Sequence, residues 1–397
     1  MTAIANDLTA AILPCQGLIA SARLGGRGIA DRLMKHPSLT IRSLQTVAVS
    51  VPMKLPLGTS ALTVRTAPLL LIDLETEEGI TGRTYLFCYM PLGAQLIAHA
   101  LQELKALVKG DSVDPAAIHA KLLRQFRLIG AQGVIWMAIA GLDVACWDAL
   151  SQAAGVPLVS YLGGKPRSIP AYNSNGLGLM STEACAEEAE QLLEGGFRGI
   201  KLRLGYPTLE QDLAAVRAVR NRVPGEIAVM TDYNQALTVE EALKRGRALD
   251  TEGLAWIEEP IRHDDFAGCA AIAEALATPI QIGENFIGVH AMESALAAKS
   301  ADLMMPDLCR IGGVTGWLQA AALSAGTGIK LSSHLFPEVS SHLLAVTPTQ
   351  HWLEYVDWAA SILAEPLHVV GGAVTPSNRP GTGISWNQDA VKRFQAV

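Results

Sequence analysis

The stretch Trp256-Ile257-Glu258-Glu259-Pro260 indicates the fold of this chain, because a short apolar run ends there in two acids and a proline. Asp232 ends a similar run 26 residues before Glu258, and Glu284 ends another 26 residues after it. One strand, one helix and two loops need about that many residues, since a βαβ unit runs to roughly 30. We therefore expect the three acids to lie at matching ends of neighbouring parallel strands and to converge on one point.

Apolar strand patterns alternate with amphipathic helix patterns on both sides of this stretch, from Ile169 to His334. The alternation predicts an α/β fold with a parallel sheet closed as a barrel. Functional side chains of such a barrel lie at the carboxyl ends of its strands. In chain order, the polar residues at these ends are Lys201, Arg203, Asp232, Glu258, Glu284, Asp307, His334 and Glu354.

The region before the barrel has a different pattern, and we expect residues 37–160 to form a small α+β domain. Its predicted strands are Leu39–Ser50, Thr66–Asp73 and Thr81–Cys88, and its predicted helices are Pro115–Phe126 and Gly133–Ala154. The barrel is then expected over residues 161–365. Residues 366–397 are rich in glycine and proline with weak strand signals, and are expected to fold back on the first strands. Residues 1–36 are interpreted as a flexible extension or an upstream start ahead of Met34, with an oligomer-docking arm as the alternative.

Composition excludes several classes of protein. The net charge of −7 and the absence of a basic cluster argue against nucleic acid as a partner. No stretch is apolar and long enough to predict a membrane span, and the longest candidate, near Val134–Trp147, is interpreted as a core helix. The six cysteines are scattered without a Cys-x-x-Cys pair, which favours buried thiols in a reducing cytoplasm.

The strand-end acids predict a metal site. Asp232, Glu258 and Glu284 offer oxygen ligands only, which suits Mg²⁺. Each strand-end acid taken alone has a simpler explanation as a helix N-cap, and the three together have one as partners of barrel lysines. Polar residues in phase at seven strand ends are hard to explain as caps, and ion pairs do not explain why the acids outnumber the nearby bases, so the metal site is favoured.

The remaining strand-end residues predict proton transfer. Asp307 precedes His334 by one βα unit, and a carboxylate beside an imidazole fixes its tautomer and raises its basicity. Glu354 lies among apolar residues and is expected to stay protonated and to donate a hydrogen bond. Mg²⁺, Lys201 and Glu354 would together stabilise the enediolate formed when the proton α to a substrate carboxylate is removed.

Several motifs carry a family resemblance that runs from about Val49 to the C-terminus. They include Asp232-Tyr233-Asn234-Gln235, Trp256 to Pro260, Gly283-Glu284-Asn285, Ile311-Gly312-Gly313, Ser332-Ser333-His334-Leu335-Phe336 and His351-Trp352-Leu353-Glu354. Through them the chain resembles the mandelate racemase / muconate lactonizing enzyme group of the enolase superfamily. The resemblance implies a modified TIM barrel, (β/α)₇β, with an α+β capping domain formed by the N-terminal region and the C-terminal tail. It also implies a homo-oligomer, commonly an octamer.

The resemblance assigns roles residue by residue. It makes Asp232, Glu258 and Glu284 the Mg²⁺ ligands, and Asp307 and His334 the dyad that acts on the (R)-enantiomer of a 2-hydroxy carboxylate. It gives Glu354 and Lys201 contacts to the substrate carboxylate. Supporting positions near the substrate are Ser174 and Asn234, and a loop over Leu57–Val64 covers it.

The implied lining of the substrate pocket is mostly apolar. Leu57, Thr59, Ala61 and Val64 face the substrate, and Tyr89, Leu335 and Val356 extend this wall. An aryl group fits such a lining better than a polyol. Arg65 is the exception, since it takes the place of a small residue, although a solvated cation is the more frequent role for such an arginine.

One position departs from the family pattern. Its Lys-x-Lys motif reads Lys201-Leu202-Arg203 here, so Arg203 replaces the (S)-specific base. A guanidinium keeps its proton at any working pH, whereas a lysine can be tuned toward neutrality. Arg203 would then act as an electrostatic clamp while His334 alone moves the proton.

Three functions follow from these residues. Racemisation of a 2-hydroxy carboxylate is the nominal reaction implied by the resemblance. The alternative is dehydration of an acid sugar with His334 as the one base. A metal-binding barrel without turnover is the third, and the intact Asp307, His334 and Glu354 argue against it.

Overall fold

The computed structural model describes residues 38–60 and 63–396. The predicted extension over residues 1–36 lies outside them. The described chain begins with a three-stranded antiparallel sheet in the order β1-β2-β3, formed by Ile41–Gly58, Thr63–Thr76 and Thr81–Phe87. Four helices follow it: α1 (Pro91–Val108), α2 (Pro115–Gln125), α3 (Gly133–Ala153) and α4 (Leu158–Tyr161).

The capping domain differs from the sequence expectation in its helices and in its first two strands. Helices α1 and α4 are additional to the predicted ones, and in α1 the buried Ala94, Ile97, Leu101, Leu104 and Val108 recur at helical spacing. The first two strands are also longer than expected. They pair beyond Pro52 as far as Leu57 with Val64 and Gly58 with Thr63, so two residues at each end of the expected covering loop belong to paired strands.

Eight parallel strands form the barrel. They are β4 (Ile169–Asn173), β5 (Gly199–Arg203), β6 (Ala228–Asp232), β7 (Trp256–Glu258), β8 (Ile280–Ile282), β9 (Leu303–Met304), β10 (Lys330–Leu331) and β11 (Leu353–Tyr355). Strands β4 to β10 pair in chain order, and β11 pairs with β4. Backbone hydrogen bonds from Leu331 to Thr349 and from His351 to Leu331 close the circle between β10 and β11. The predicted (β/α)₇β barrel is confirmed.

Helices connect the barrel strands on the outside. They are α5 (Thr182–Gln191), α6 (Leu209–Arg222), α7 (Val239–Leu249), α8 (Phe266–Ala275), α9 (Val289–Ala298), α10 (Leu308–Ile311), α11 (Gly313–Thr327) and α12 (Pro337–Val346). Helix α12 begins three residues after His334 and was not assigned from the sequence. A 3₁₀ turn (Ala360–Ile362), two short strands, β12 (Val369–Val370) and β13 (Ala373–Val374), and α13 (Gln388–Phe394) complete the chain.

The C-terminal tail joins the barrel to the capping domain. Strand β13 pairs antiparallel with β4. Trp386 donates a hydrogen bond from Nε1 to Asp73 Oδ1 at 2.7 Å, and the amide of Ala396 donates to the carbonyl of Ala48 at 2.9 Å. These contacts agree with the expected return of the tail to the first strands.

Helix α3 is the one helix of the described residues with the length and apolarity of a membrane span. Its apolar surface is used inside the protein, since the residues from Ala138 to Ala149 are buried apart from Trp147. Its Asp143 accepts a hydrogen bond from the backbone amide of Thr315 at 3.0 Å, and Trp147 donates from Nε1 to Thr315 Oγ1 at 3.0 Å. These contacts fix the capping domain on the start of α11.

Candidate active site

The strand ends meet as the spacing predicts. Arg203 is paired with Asp232, and Asp232 with Glu258, in the register of β5, β6 and β7. Beyond β8, Asp307 and His334 form a parallel bridge just after β9 and β10. All of these side chains are buried. They lie at the carboxyl ends of the strands, where a barrel places its functional groups.

Three carboxylates form a group that can hold a cation. Oxygen atoms of Asp232, Glu258 and Glu284 lie within 4.8 Å of one another. Asn234 donates hydrogen bonds to both oxygens of Asp232, from its backbone amide at 2.8 Å and from Nδ2 at 2.9 Å. Trp256 Nε1 donates to Glu258 Oε2 at 3.2 Å. The ligand atoms are therefore oriented by neighbouring donors before any ion binds.

The charge of this group also fits a divalent cation. Burial, together with the nearby carboxylates of Asp232, Glu354 and Glu284, raises the pKa of Glu258 to about 8, although Lys201 opposes the shift. Three buried acids repel each other, and a hard divalent ion with oxygen ligands would remove that cost. The alternative of acids paired with a barrel lysine describes two contacts, since Lys201 Nζ lies 2.7 Å from Glu258 Oε1 and 3.5 Å from Asp232 Oδ2. Lys201 alone does not balance three carboxylates.

Asp307 serves both roles that the sequence left open. Its Oδ1 accepts the backbone N–H groups of Cys309 and Arg310 at 2.7 and 3.0 Å, and thereby caps helix α10. Its Oδ2 lies 2.7 Å from Nδ1 of His334. The cap fixes the carboxylate, and the carboxylate fixes the imidazole so that Nδ1 carries the proton and Nε2 faces the carboxylates of the site.

His334 is poised to hold a proton at Nε2. This atom lies 3.2 Å from Glu284 Oε2 and 3.9 Å from Glu354 Oε2. Burial lowers the pKa of His334, but the carboxylates of Glu284, Glu354 and Asp307 outweigh it and raise the pKa to about 9. The protonated form of this imidazole is therefore stabilised by its surroundings, as general acid–base chemistry would require.

The expectation that Glu354 is a protonated donor is wrong in this structure. Both of its oxygens accept hydrogen bonds: Oε1 from Ser174 Oγ at 2.7 Å, and Oε2 from the backbone amide of Leu335 at 2.9 Å. Lys201 Nζ also lies 2.7 Å from Oε1. Burial raises the pKa of Glu354, but the charges of Lys201 and His334 outweigh it and hold the pKa well below its usual range.

Lys201 is held as a cation by the same cluster. Its side chain is 1% exposed and contacts Glu258, Glu354 and, at 3.5 Å, Asp232 Oδ2. Burial lowers its pKa, but these carboxylates raise it above the usual range. Lys201 therefore supplies fixed positive charge at the place where a substrate carboxylate is expected.

Arg203 has a different environment. Its Nη1 donates to the backbone carbonyls of Ser174, Gly176 and Lys201 at 2.9, 3.0 and 3.3 Å, and its Nη2 donates to Ser174 Oγ at 2.9 Å. Among the described residues none accepts from its buried Nε. The guanidinium thus clamps the chain after β4 and orients the Ser174 hydroxyl that donates to Glu354.

Two of the predicted substrate-facing residues, Leu335 and Tyr89, have contacts at this cluster. Leu335 and Tyr89 are buried or half-buried, and Leu335 adjoins Glu354 through its amide. Thr59 directly follows β1, whose Gly58 carbonyl accepts the amide of Leu179 at 3.0 Å, so the hairpin end touches the barrel there. The contact of these residues with a substrate stays a prediction. Ala61 lies outside the described residues, and Arg65 is exposed.

Left-handed backbone conformations gather at the strand ends. Tyr89, Asn234, Glu259 and Leu335 have φ angles of 61°, 47°, 37° and 51°. Such conformations are uncommon for residues other than glycine and cluster at functional sites. They are strained positions that a sequence pattern does not reveal.

Three polar residues of the site received no role from the sequence, although Glu259 and Asn285 stand in motifs quoted above. Asn285 Nδ2 donates to Glu259 Oε1 at 2.7 Å and to Glu284 Oε1 at 3.3 Å. Burial, followed by the charge of Glu284, raises the pKa of Glu259 well above its usual value. Arg310 contacts Asn285 and lies against Tyr89. Their signal was adjacency, since each lies within three residues of a predicted metal ligand or of Asp307.

Comparisons with known proteins follow the same division of the chain. Residues 41–163 match the family described as mandelate racemase / muconate lactonizing enzyme, N-terminal domain. Residues 184–390 match the family described as enolase C-terminal domain-like.

Individual relatives are similar over most of the chain. L-talarate/galactarate dehydratase of Salmonella typhimurium is 32% identical over 353 residues, covering 86% of this chain and 88% of the relative. The 3,6-anhydro-alpha-L-galactonate cycloisomerase of Streptomyces coelicolor is 31% identical, covering 82% of this chain and 91% of the relative. A crystal structure of an enolase from Bradyrhizobium, complexed with magnesium and mandelic acid, is 40% identical with a TM-score of 0.88. That match covers 91% of this chain and 100% of the other.

Proposed function

The chain belongs to the enolase superfamily, and from this premise we propose that it is a Mg²⁺-dependent enzyme that dehydrates an acid sugar with His334 as its single base. The observation that carries the proposal is the environment of Arg203. Its Nη atoms donate to three backbone carbonyls and a hydroxyl, so it has no acceptor to offer a substrate proton. One base is enough to remove the proton from the α-carbon of a carboxylate. Racemisation needs two, because the proton is removed from one face of the α-carbon and returned to the opposite face.

The proposed dehydration requires a metal ion. Asp232, Glu258 and Glu284 would hold Mg²⁺, which would stabilise the negative charge that develops on the substrate carboxylate as its α-proton leaves. Lys201 would support the same carboxylate from the side of Glu354, and Ser174 and Asn234 orient the residues around it. All of these side chains hold their positions through hydrogen bonds that already exist in the protein.

His334 performs the proton transfers. Its Nε2 takes the proton from the α-carbon, and the imidazolium formed is stabilised by Asp307 at Nδ1. The bond from the β-carbon to its hydroxyl then breaks, and the imidazolium returns the proton to the leaving oxygen, which departs as water. The organic product is an enol that tautomerises to a 2-oxo acid. The substrate must therefore be a 2,3-dihydroxy carboxylate.

One similarity and one contact in the structure support the class of reaction. The dehydratase from Salmonella typhimurium acts, by its name, on talarate and galactarate, and it covers 86% of this chain. In this chain the pocket wall at Tyr89 is also less apolar than the sequence suggested, because the guanidinium of Arg310 lies over its ring at 4.7 Å. A polyhydroxy acid is more compatible with this wall than an aryl group alone.

Racemisation of a 2-hydroxy carboxylate is the second candidate. The similar enolase from Bradyrhizobium was crystallised with magnesium and mandelic acid, and buried Leu335 and Val356 retain part of an apolar wall. This reaction requires, on the face opposite His334, a second group that can both accept and return the α-proton, and the guanidinium of Arg203 only donates in its present contacts. A homo-oligomer and a cytoplasmic location stay predictions of the sequence.

The test is a pair of measurements with the purified protein and Mg²⁺. A panel of aldonates and aldarates is screened for formation of 2-oxo acids, and (R)- and (S)-mandelate are incubated separately in D₂O and followed by NMR. We expect a 2-oxo product from at least one acid sugar, and α-proton exchange from one enantiomer of mandelate only. Comparable exchange from both enantiomers, without any 2-oxo product, would contradict the dehydratase and support the racemase.

A further inference from the structure

Arg310 connects the capping domain to the loop that carries Glu284. Its Nη1 donates to the carbonyl of Glu284 at 3.3 Å and to Oδ1 of Asn285. Its Cζ lies 4.7 Å from the centre of the Tyr89 ring, a cation–π geometry. Its own carbonyl accepts from Trp136 Nε1 at 2.7 Å, and Trp136 belongs to helix α3. The capping domain therefore contacts both the side chain and the backbone of this arginine.

The contact with Asn285 determines which way that amide faces. Because Oδ1 accepts from Arg310, Nδ2 points to the carboxylates of Glu259 and Glu284. An amide turned the other way would bring Oδ1 against two carboxylates, and that arrangement is repulsive. The guanidinium thus fixes the donor that holds Oε1 of Glu284, while Oε2 lies near His334.

We propose that Arg310 is a positioning residue that increases the affinity of the Asp232, Glu258 and Glu284 site for Mg²⁺, by fixing the Glu284–Asn285 loop against Tyr89 of the capping domain. This inference rests on the proposed function, in which these three carboxylates hold the ion. It links metal binding to one local contact with the capping domain, the ring of Tyr89, and this ring belongs to a part of the chain that supplies none of the three carboxylates.

The direction in which Mg²⁺ affinity changes when Arg310 is replaced distinguishes a positioning role from electrostatic repulsion of the ion. A cation beside a metal site repels the metal, so removing the charge of Arg310 would by itself strengthen binding of Mg²⁺. Loss of a group that orients a ligand weakens binding, typically by about 10- to 100-fold. A decrease in affinity after removal of a positive charge is therefore the signature of positioning.

The experiment is calorimetric titration of MgCl₂ into the full-length protein without substrate. We expect Arg310→Met to weaken Mg²⁺ binding by about 10- to 100-fold. Arg310→Lys keeps the charge but loses the planar fork, and an intermediate loss is expected. Tyr89→Leu removes the ring and leaves the guanidinium, so we expect a smaller loss, of a few fold.

Two control variants distinguish positioning from general loosening. Thr315→Val removes the hydroxyl that contacts Asp143 and Trp147, at a junction of the capping domain that is separate from Glu284. Arg217→Met removes an exposed arginine that pairs with Glu252. Mg²⁺ affinity is expected to stay at the wild-type value in both, although Thr315→Val lowers the thermal midpoint.

The outcomes separate this inference from its premise. If the wild-type protein binds no Mg²⁺, the metal assignment fails and the inference fails with it. If the wild type binds Mg²⁺ and Arg310→Met binds it equally or more tightly, the metal assignment stands and the positioning role is refuted. An equal loss of affinity in Thr315→Val would also refute it, because the effect would then follow stability alone.

Discussion

His334 and Arg203 are buried in one site but are supported in opposite ways. His334 follows β10 and Arg203 ends β5, and the shorter path between them round the barrel crosses β11 and β4. The imidazole has one nitrogen bound to Asp307 and the other directed at the carboxylates of the site. The guanidinium gives both Nη groups to backbone carbonyls and to Ser174.

This difference suits His334 to transfer of a proton and Arg203 to positioning of the backbone. The carboxylate of Asp307 accepts a hydrogen bond from Nδ1 of His334 whether the imidazole is charged or neutral. His334 can therefore change its protonation state at Nε2. Backbone carbonyls accept hydrogen bonds only, and buried carbonyls without donors are costly. Arg203 therefore maintains the turn after β4 and, through Ser174, the position of Glu354.

Removal of the base should have the largest effect. His334→Asn keeps a donor for Asp307 but has no basic nitrogen, so exchange of the α-proton and turnover should fall by about 10²- to 10⁴-fold. NMR in D₂O measures the exchange, and calorimetry with Mg²⁺ checks that the metal site persists. His290→Asn is the matched control, because His290 is exposed and pairs only with Glu293 among the described residues. Near-native exchange in His334→Asn would eliminate the imidazole as the base.

Changing the partner of the base should have the next largest effect. In Asp307→Asn, the amide oxygen can still accept from Cys309 and Arg310, so the cap of α10 is retained. The amide nitrogen would donate to Nδ1 of His334 and shift the imidazole proton to Nε2, where it blocks proton abstraction. We expect turnover to fall by about 10²-fold with little change in the thermal midpoint. A large loss of stability with normal exchange would show that Asp307 acts mainly as a cap.

The fold and the convergence of the three acids were predictable because they depend on spacing. Each βα unit has a nearly constant length, so Asp232, Glu258 and Glu284 could be assigned to one barrel end from the sequence. The protonation state of Glu354 was not predictable in this way. The charge on Glu354 depends on Lys201, at the end of β5, and on His334, after β10, which are distant from it in the sequence. The apolar neighbours of Glu354 in the sequence led to the opposite expectation.

The role of Arg203 shows a second limit of sequence analysis. Its departure from the family motif was visible, but its partners are carbonyl groups of Ser174, Gly176 and Lys201. Every residue has a carbonyl, so the sequence carries no signal for these contacts. The same holds for the amide of Leu335, which reaches Glu354 because the backbone turns left-handed there.

Arg203→Lys should have the smallest effect on exchange and gives the most direct test of the comparison. A lysine can in principle act as a second base, and Lys201 nearby would favour its neutral form. The carbonyls of Ser174 and Gly176 oppose this, because they stabilise an ammonium that donates to them. We therefore expect α-proton exchange from the second mandelate enantiomer to become detectable in D₂O but to stay at least about tenfold slower than exchange by His334 from the first enantiomer.

The free energy of unfolding of Arg203→Lys, measured with denaturant, should fall by about 1–3 kcal/mol, since one ammonium cannot replace the planar fork at every acceptor. Equal exchange from both enantiomers in this variant would mean that the carbonyls do not hold the cation, and that the residue type alone decides whether the site has one base or two.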